Sequence, residues 1–191
     1  DEKIRIIKIM KLNTSLENLK ALIKEFEDSK ADKVKKEILK SLNSYRSSLY
    51  NEVIEEFIFQ CLKSDKFTLF SELGDIITNY DESNENILNL IHDLVIEEIE
   101  PSNSQKINRN EMLIHVLGEI GTLESAKILF DIQKESEIKI FRDLANNSRL
   151  RLAKKLNFSS IDKMDKKIGI SSSIPSTKKK KMIYYLKNGL F

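Results

Sequence analysis

What most constrains this chain is a helix pattern that recurs four times: a Glu near a helix start, followed by apolar residues spaced to share one face. From Glu17 it runs through Leu19, Leu22, Ile23 and Phe26; from Glu52 through Ile54, Phe57, Ile58 and Cys61. From Glu85 it runs through Ile87, Leu90, Ile91 and Leu94, and from Glu124 through Ala126, Leu129 and Phe130. Apolar residues three and four apart lie on one side of a helix, so each copy has one side to bury. The starts are 35, 33 and 39 residues apart, within the range of about 20 to 50 residues typical of stacked repeats. Each copy follows another helix with an apolar pair three apart before the turn: Ile6 and Ile9, Leu39 and Leu42, Leu73 and Ile76, Leu117 and Ile120. Helix pairs are therefore expected at 3–28, 31–64, 67–99 and 106–135, with a fifth first-type helix over 137–156.

Composition agrees with a helical reading. Gly and Pro together occupy seven of 191 positions, against 40% hydrophobic and 32% charged residues, too few turn formers for a β-sandwich. No apolar run reaches the roughly 18 to 20 residues that a membrane-crossing helix needs. The chain opens on Asp1 and not on Met, so removal of a preceding segment is expected, with signal-peptide cleavage as one route. The compartment stays open between cytoplasm and export. Cys61, the single cysteine, has no internal disulfide partner and falls on an apolar stripe, where a thiol acts as a small hydrophobe.

The joints carry turn chemistry. Thr14 with Glu17 fits a capping box, Ser48 and Ser83 offer similar caps, and Gly121 before Thr122 reads as a C-terminal glycine beside the next N-cap. Pro101 ends the helix before it, and the polar run Ser102–Gln105 is expected as a loop insertion that lengthens one spacing to 39.

The segment from Val116 through Leu117, Gly118, Glu119, Ile120, Gly121, Thr122, Leu123, Glu124 and Ser125 to Ala126 resembles the core of a HEAT-type repeat. In that motif a small residue lets two helices approach before a short turn. Leu73-Gly74-Asp75-Ile76 is a partial copy. The resemblance extends over about 3–156 and is specific around 111–132. It implies an all-α, right-handed α-solenoid of four to five stacked helix pairs, in which stacking completes each pair's core. A tetratricopeptide array shares the period, but its Trp, Gly, Tyr and Pro signature is missing, so it ranks second.

Beyond the array, 157–191 is expected as a basic extension. It holds a short capped helix near Ser160 and Ile161, a Ser-rich connector over 169–176, and a terminal helix with Ile183, Leu186 and Leu190 on one face. From Lys139 onward there are 14 Lys and Arg against Asp143, Asp162 and Asp165, so that this part carries +11 and residues 1–138 carry −9. The basic part would attract nucleic acid or an anionic surface and the acidic part would repel it. Arg149, Arg151, Lys154, Lys155 and Lys178, Lys179, Lys180 and Lys181 are the contacts such a partner would meet, with Tyr184 and Tyr185 placed for stacking.

Catalytic patterns are thin. There are two histidines, His92 and His115; His92-Asp93 could form part of a polar site, but no pair of His and carboxylate recurs at ligand spacing, so no metal site is expected. Deoxyhypusine hydroxylases are built from HEAT pairs and hold iron with adjacent His-Glu pairs, and no His-Glu pair occurs in this chain. HEAT-like DNA glycosylases use aromatic and acidic residues in a basic groove, which an acidic array without Trp does not fit. The recurring Glu17, Glu52, Glu85 and Glu124 match the preference of helix starts for acidic side chains. Phosphate-binding glycine loops, a nucleophile elbow and Cys-x-x-Cys are missing.

The expectation is therefore a non-enzymatic interaction or scaffold module without cofactor, binding a protein partner through the exposed positions of the second helices. These are Lys20, Lys24, Glu55, Gln60, Asn89, His92, Asp93, Lys127, Asp131 and Lys134. A nucleic-acid-associated protein using the basic end is the alternative, and an enzyme's accessory subunit a third.

Overall fold

The computed structural model describes residues 2–64, 66–80, 85–97, 99–100 and 102–170. Among these there are ten α-helices and no strand. The first pair is α1 (Glu2–Leu12) and α2 (Leu16–Asp28), the second α3 (Asp32–Leu42) and α4 (Asn51–Lys63). The third is α5 (Phe70–Asn79) and α6 (Glu85–Ile96), the fourth α7 (Ser104–Ile120) and α8 (Leu123–Glu135). After these come α9 (Lys139–Lys155) and the short α10 (Ile161–Lys167). The expected order of helices stands, and no helix among the described residues is long and apolar enough to cross a membrane. Two compact units divide at Leu90, inside α6.

In the unit 1–90, α3 packs on α1, on α2 and on α5. Leu19, Leu22, Ile38, Leu39, Ile54, Ile58, Leu62 and Leu73 form its buried centre. Phe26 meets Phe57 edge to face at 5.2 Å and joins α2 to α4. Such a pair adds about 0.5–1.5 kcal/mol beyond the area it buries. The expected pair Ile6 and Ile9 is exposed; Ile7 is the residue that α1 buries, and α3 packs on α1.

In the unit 91–191, α9 packs on both α7 and α8, and α10 packs on α9. Gly118 lies against Ser148, so close that a Cβ on it would stand 2.9 Å from Ser148 Cβ. The glycine is what lets α7 and α9 approach. Gly121 closes α7 in the left-handed region at φ +88°, which costs a residue with a Cβ about 1–2 kcal/mol. At the ends of α9 and α10, Asn157 and Gly169 turn the chain the same way. After α9 Phe158 N–H donates to Ala153 O and Asn157 N–H to Lys154 O, and after α10 Ile170 N–H donates to Asp165 O and Gly169 N–H to Lys166 O, in each case the paired bonds of a Schellman ending.

Three local expectations shift. Ser15, not Thr14, caps α2: its extended backbone aims Oγ at the Asn18 amide, 3.2 Å away. Ser48 does not cap α4, since it lies inside a 3-10 turn over Ser48–Tyr50 that runs straight into that helix. Ser83 and Pro101 lie outside the described residues. The polar run after Pro101 is not a four-residue loop: Asn103 caps Lys106 N at 3.0 Å and Ser104 already begins α7. The spacing of 39 comes from α7 itself, 17 residues long against 11 in α3.

Helix ends leave carbonyls without an intrahelical donor, and side chains from later in the chain supply some of them. Tyr45 Oη donates to Met10 O at 3.2 Å at the end of α1, and Asn110 Nδ2 to Leu94 O at 2.9 Å near the end of α6. Lys155 Nζ donates to Glu119 O at the end of α7. A buried Asn110 held in this way contributes about 1 kcal/mol, and more is lost if its partner is left unpaired.

Candidate interaction surfaces

The second helices α2 and α4 bury Leu19, Leu22 and Phe26 and Ile54, Phe57 and Ile58, which turns their polar positions outward. Lys20, Glu55 and Gln60 come together along one groove of about 750 Å³, with Glu27, Glu56 and Phe59 also lining it. Gln60 Nε2 donates to Glu56 Oε1 at 3.0 Å. Lys24 is exposed on α2 outside that lining. The groove combines an acidic majority with apolar patches.

On α6, Asn89, His92 and Asp93 follow one another at helical spacing, Asn89 and Asp93 exposed and His92 half-buried. His92 Nε2 lies 4.0 Å from Asp131 Oδ2 of α8. Burial pushes the Asp131 carboxyl above its usual range, with Glu135 and Glu124 adding to the shift and His92 and Lys127 opposing it. Lys127 is exposed and bonded to Glu124 at 2.9 Å, and Lys134 Nζ sits 5.6 Å from the Phe130 ring centre. His115 is exposed on α7 with Arg151 Nη1 at 3.3 Å, so it does not lie in the helix core.

The repeated glutamates occupy first turns: Glu17 in α2, Glu52 in α4, Glu85 in α6 and Glu124 in α8. Glu17 is held below the usual carboxylate range, by its own backbone amide first and by Ser15 second. That is the chemistry of a helix start.

The basic end is less uniform than its sequence. Arg149 is 3% exposed; its guanidinium bonds Asp165 of α10 and Gln133 of α8 and lies 5.0 Å from the Phe130 ring centre. A cation so enclosed is not offered to an outside anion, which corrects its expected surface role. Arg151 and Lys155 are exposed but lean on α7, Arg151 toward Glu119 Oε1 at 3.7 Å and Lys155 onto Glu119 O. Lys154 is exposed. Lys178, Lys179, Lys180 and Lys181 lie outside the described residues.

Sequence reasoning missed a second groove, lined by Glu100, Asp131, Glu135, Glu137 and Ile138. Its signal was present in the acidic run from Glu97 to Glu100 and in Glu135-Ser136-Glu137. Among the described residues no group of three or more His, Cys, Asp and Glu has the geometry to hold a metal ion. Comparison with protein-family models, curated proteins and solved structures finds no match for this chain.

Proposed function

We propose that the chain is a HEAT-like, right-handed α-solenoid that works as a non-enzymatic interaction or scaffold module, binding a protein partner through the second-helix faces. The observation that carries this reading is the gathering of Lys20, Glu55 and Gln60 in one open groove between α2 and α4. These positions break the repeat, whereas the repeated ones are used up in helix starts and packing. Contact between successive first helices, α1 with α3, α3 with α5 and α7 with α9, supports the stacked arrangement, as does the close approach at Gly118. A repeat array displays such faces as one extended surface.

Asn89, His92 and Asp93 belong to the same reading. Replacing all three with Ala is expected to weaken capture of the native partner while the circular dichroism spectrum keeps its helical form. Undiminished capture would place the interface elsewhere. Nucleic-acid binding through the basic end takes second place, because Arg149 is enclosed and Arg151 and Lys155 lean on α7.

A further inference from the structure

The −9 carried by residues 1–138 is not spread evenly. In the unit 1–90, the first helices α1 and α3 hold eight Lys and Arg against Glu2, Asp32 and Glu37, whereas the second helices α2 and α4 hold three Lys against seven Asp and Glu. Because α3 packs on α1, the cations gather on neighbouring helices. Lys3 is paired with Glu25 at 2.8 Å, Lys36 with Glu72 at 3.1 Å, and Lys35 lies over the Phe26 ring. Arg5, Lys8, Lys11, Lys33 and Lys40 are exposed apart from a half-turn's packing and enter no ion pair among the described residues. The same end of the unit carries exposed apolar surface. Ile6, Ile9 and Leu12 of α1 are 49, 57 and 86% exposed, and Leu16 and Leu49 are exposed as well. Leu16 follows the α1–α2 turn, and Leu49 is held near it by its neighbour Tyr50, whose Oη donates to Thr14 O at 3.1 Å. Spacing of three aligns Ile6, Ile9 and Leu12 along α1, and spacing of four sets Arg5 beside Ile9 and Lys8 beside Leu12.

We propose that α1, flanked by α3, docks on an anionic lipid surface, with Ile6, Ile9 and Leu12 entering the headgroup boundary and the free cations of α1 and α3 meeting the lipid anions. A helix that lies in a membrane surface needs an apolar stripe with cations beside it. The attraction of a cation to an anionic leaflet fades within a Debye length, about 8 Å at physiological salt, so cations one turn from the stripe are well placed. A nucleic acid would meet the cations but offers the stripe no apolar phase. A second copy packed two-fold on this side would set Arg5 and Lys8 against their own counterparts, with Glu2 the sole acidic residue of α1 to offset them. The stripe lines neither of the two grooves described above, and a bilayer needs no matching shape. This inference goes beyond the proposed function, since it uses the first helices and not the α2–α4 groove.

Co-sedimentation of the full chain with vesicles tests it, one set of phosphatidylcholine alone and one with about a third phosphatidylserine. The chain is expected to pellet with the mixed set, to be released by salt, and to stay in solution with the neutral set. The variant Ile6→Ser, Ile9→Ser, Leu12→Ser keeps every charge and should partition about tenfold less. Arg5→Gln with Lys8→Gln should lose about thirtyfold, the effect of two cations near an anionic leaflet. All five side chains are exposed, so circular dichroism should show unchanged helicity. Equal binding by the serine variant would overturn the proposal, whichever other basic segment holds the vesicles. So would absence of pelleting with the mixed set, or equal pelleting with the neutral one. Pelleting without vesicles would mark a second copy as the occupant, and tighter binding to duplex DNA that the serine variant retains would mark a nucleic acid; either result overturns the lipid surface.

Discussion

Two carboxylates of one groove respond to pH in opposite directions. Glu97 is held below the usual carboxylate range, by Lys106 first and Arg109 next. Its contribution is present above the ordinary carboxylate pKa and is lost as pH falls through the lowered folded value. Asp131 is raised, chiefly by burial; its contribution is present below the ordinary value and is lost as pH rises through the raised one. Glu97→Gln should therefore lower Tm at neutral pH and Asp131→Asn should raise it, both differences closing in acid. Each side chain is over two-fifths exposed, so solvent screening keeps each effect within about 1 kcal/mol, and thermal unfolding across pH checks the signs. Cys61 gives a sharper expectation: it is 5% exposed and burial pushes its thiol up to about 12. A thiolate is the reacting form, so an aromatic disulfide reagent at pH 8 should label it only as fast as the protein opens; prompt labelling of the native chain would contradict its place in the core. Its burial was legible from the stripe it shares with Ile54, Phe57 and Ile58. That of Arg149 was not, because nothing near it in sequence distinguishes it from Arg151; the difference is made by Asp165, on another helix.

Among the elements, the contact between α7 and α9 turns on one missing methyl group. An Ala in place of Gly118 gains about 1 kcal/mol of helix propensity. Its Cβ, however, would stand 2.9 Å from Ser148 Cβ and 3.3 Å from Ser148 Cα, and forcing a packed contact apart costs about 1–3 kcal/mol. Gly118→Ala should thus destabilise by about 1 kcal/mol net, and Ser148→Gly in the same chain should recover part of it despite its own helix penalty. Chemical denaturation of the two single variants and the double variant measures the coupling; additive effects would mean the helices do not meet there. Among the described residues helix existence was legible, from apolar spacing and, for α10, from its cap at Ser160; the terminal helix expected around Ile183 and the Ser-rich connector from Ser171 lie outside them. Boundaries were not. Thr14 and Ser15 are equally good caps by residue type, and only backbone direction selects Ser15. The length of α7 was hidden because Ser104 and Gln105, polar and next to Pro101, read as loop, while Asn103 supplied the cap that lets the helix start early.

For the molecule as a whole, the repeat disclosed the order of helix pairs but not which surfaces remain open. That depends on what covers each face: Ile6 and Ile9, identical in pattern to Leu39 and Leu42, end up exposed, and Ile7 is the residue that α1 buries. The second groove was likewise assembled from α6, α8 and α9 residues about 40 positions apart in sequence, beyond the reach of any local pattern. The central claim is that partner contacts fall on second-helix positions that do not repeat. Its most direct measurement compares two full-length variants in affinity capture quantified by mass spectrometry, one with Lys20→Glu and Gln60→Ala in the α2–α4 groove, the other with Lys33→Glu and Lys40→Glu on the first helix α3. Both should keep native helicity. The account predicts that the groove variant loses its specific partner by about tenfold, equivalent to about 1.4 kcal/mol, while the α3 variant retains it; retention by the groove variant with loss by the α3 variant would contradict it.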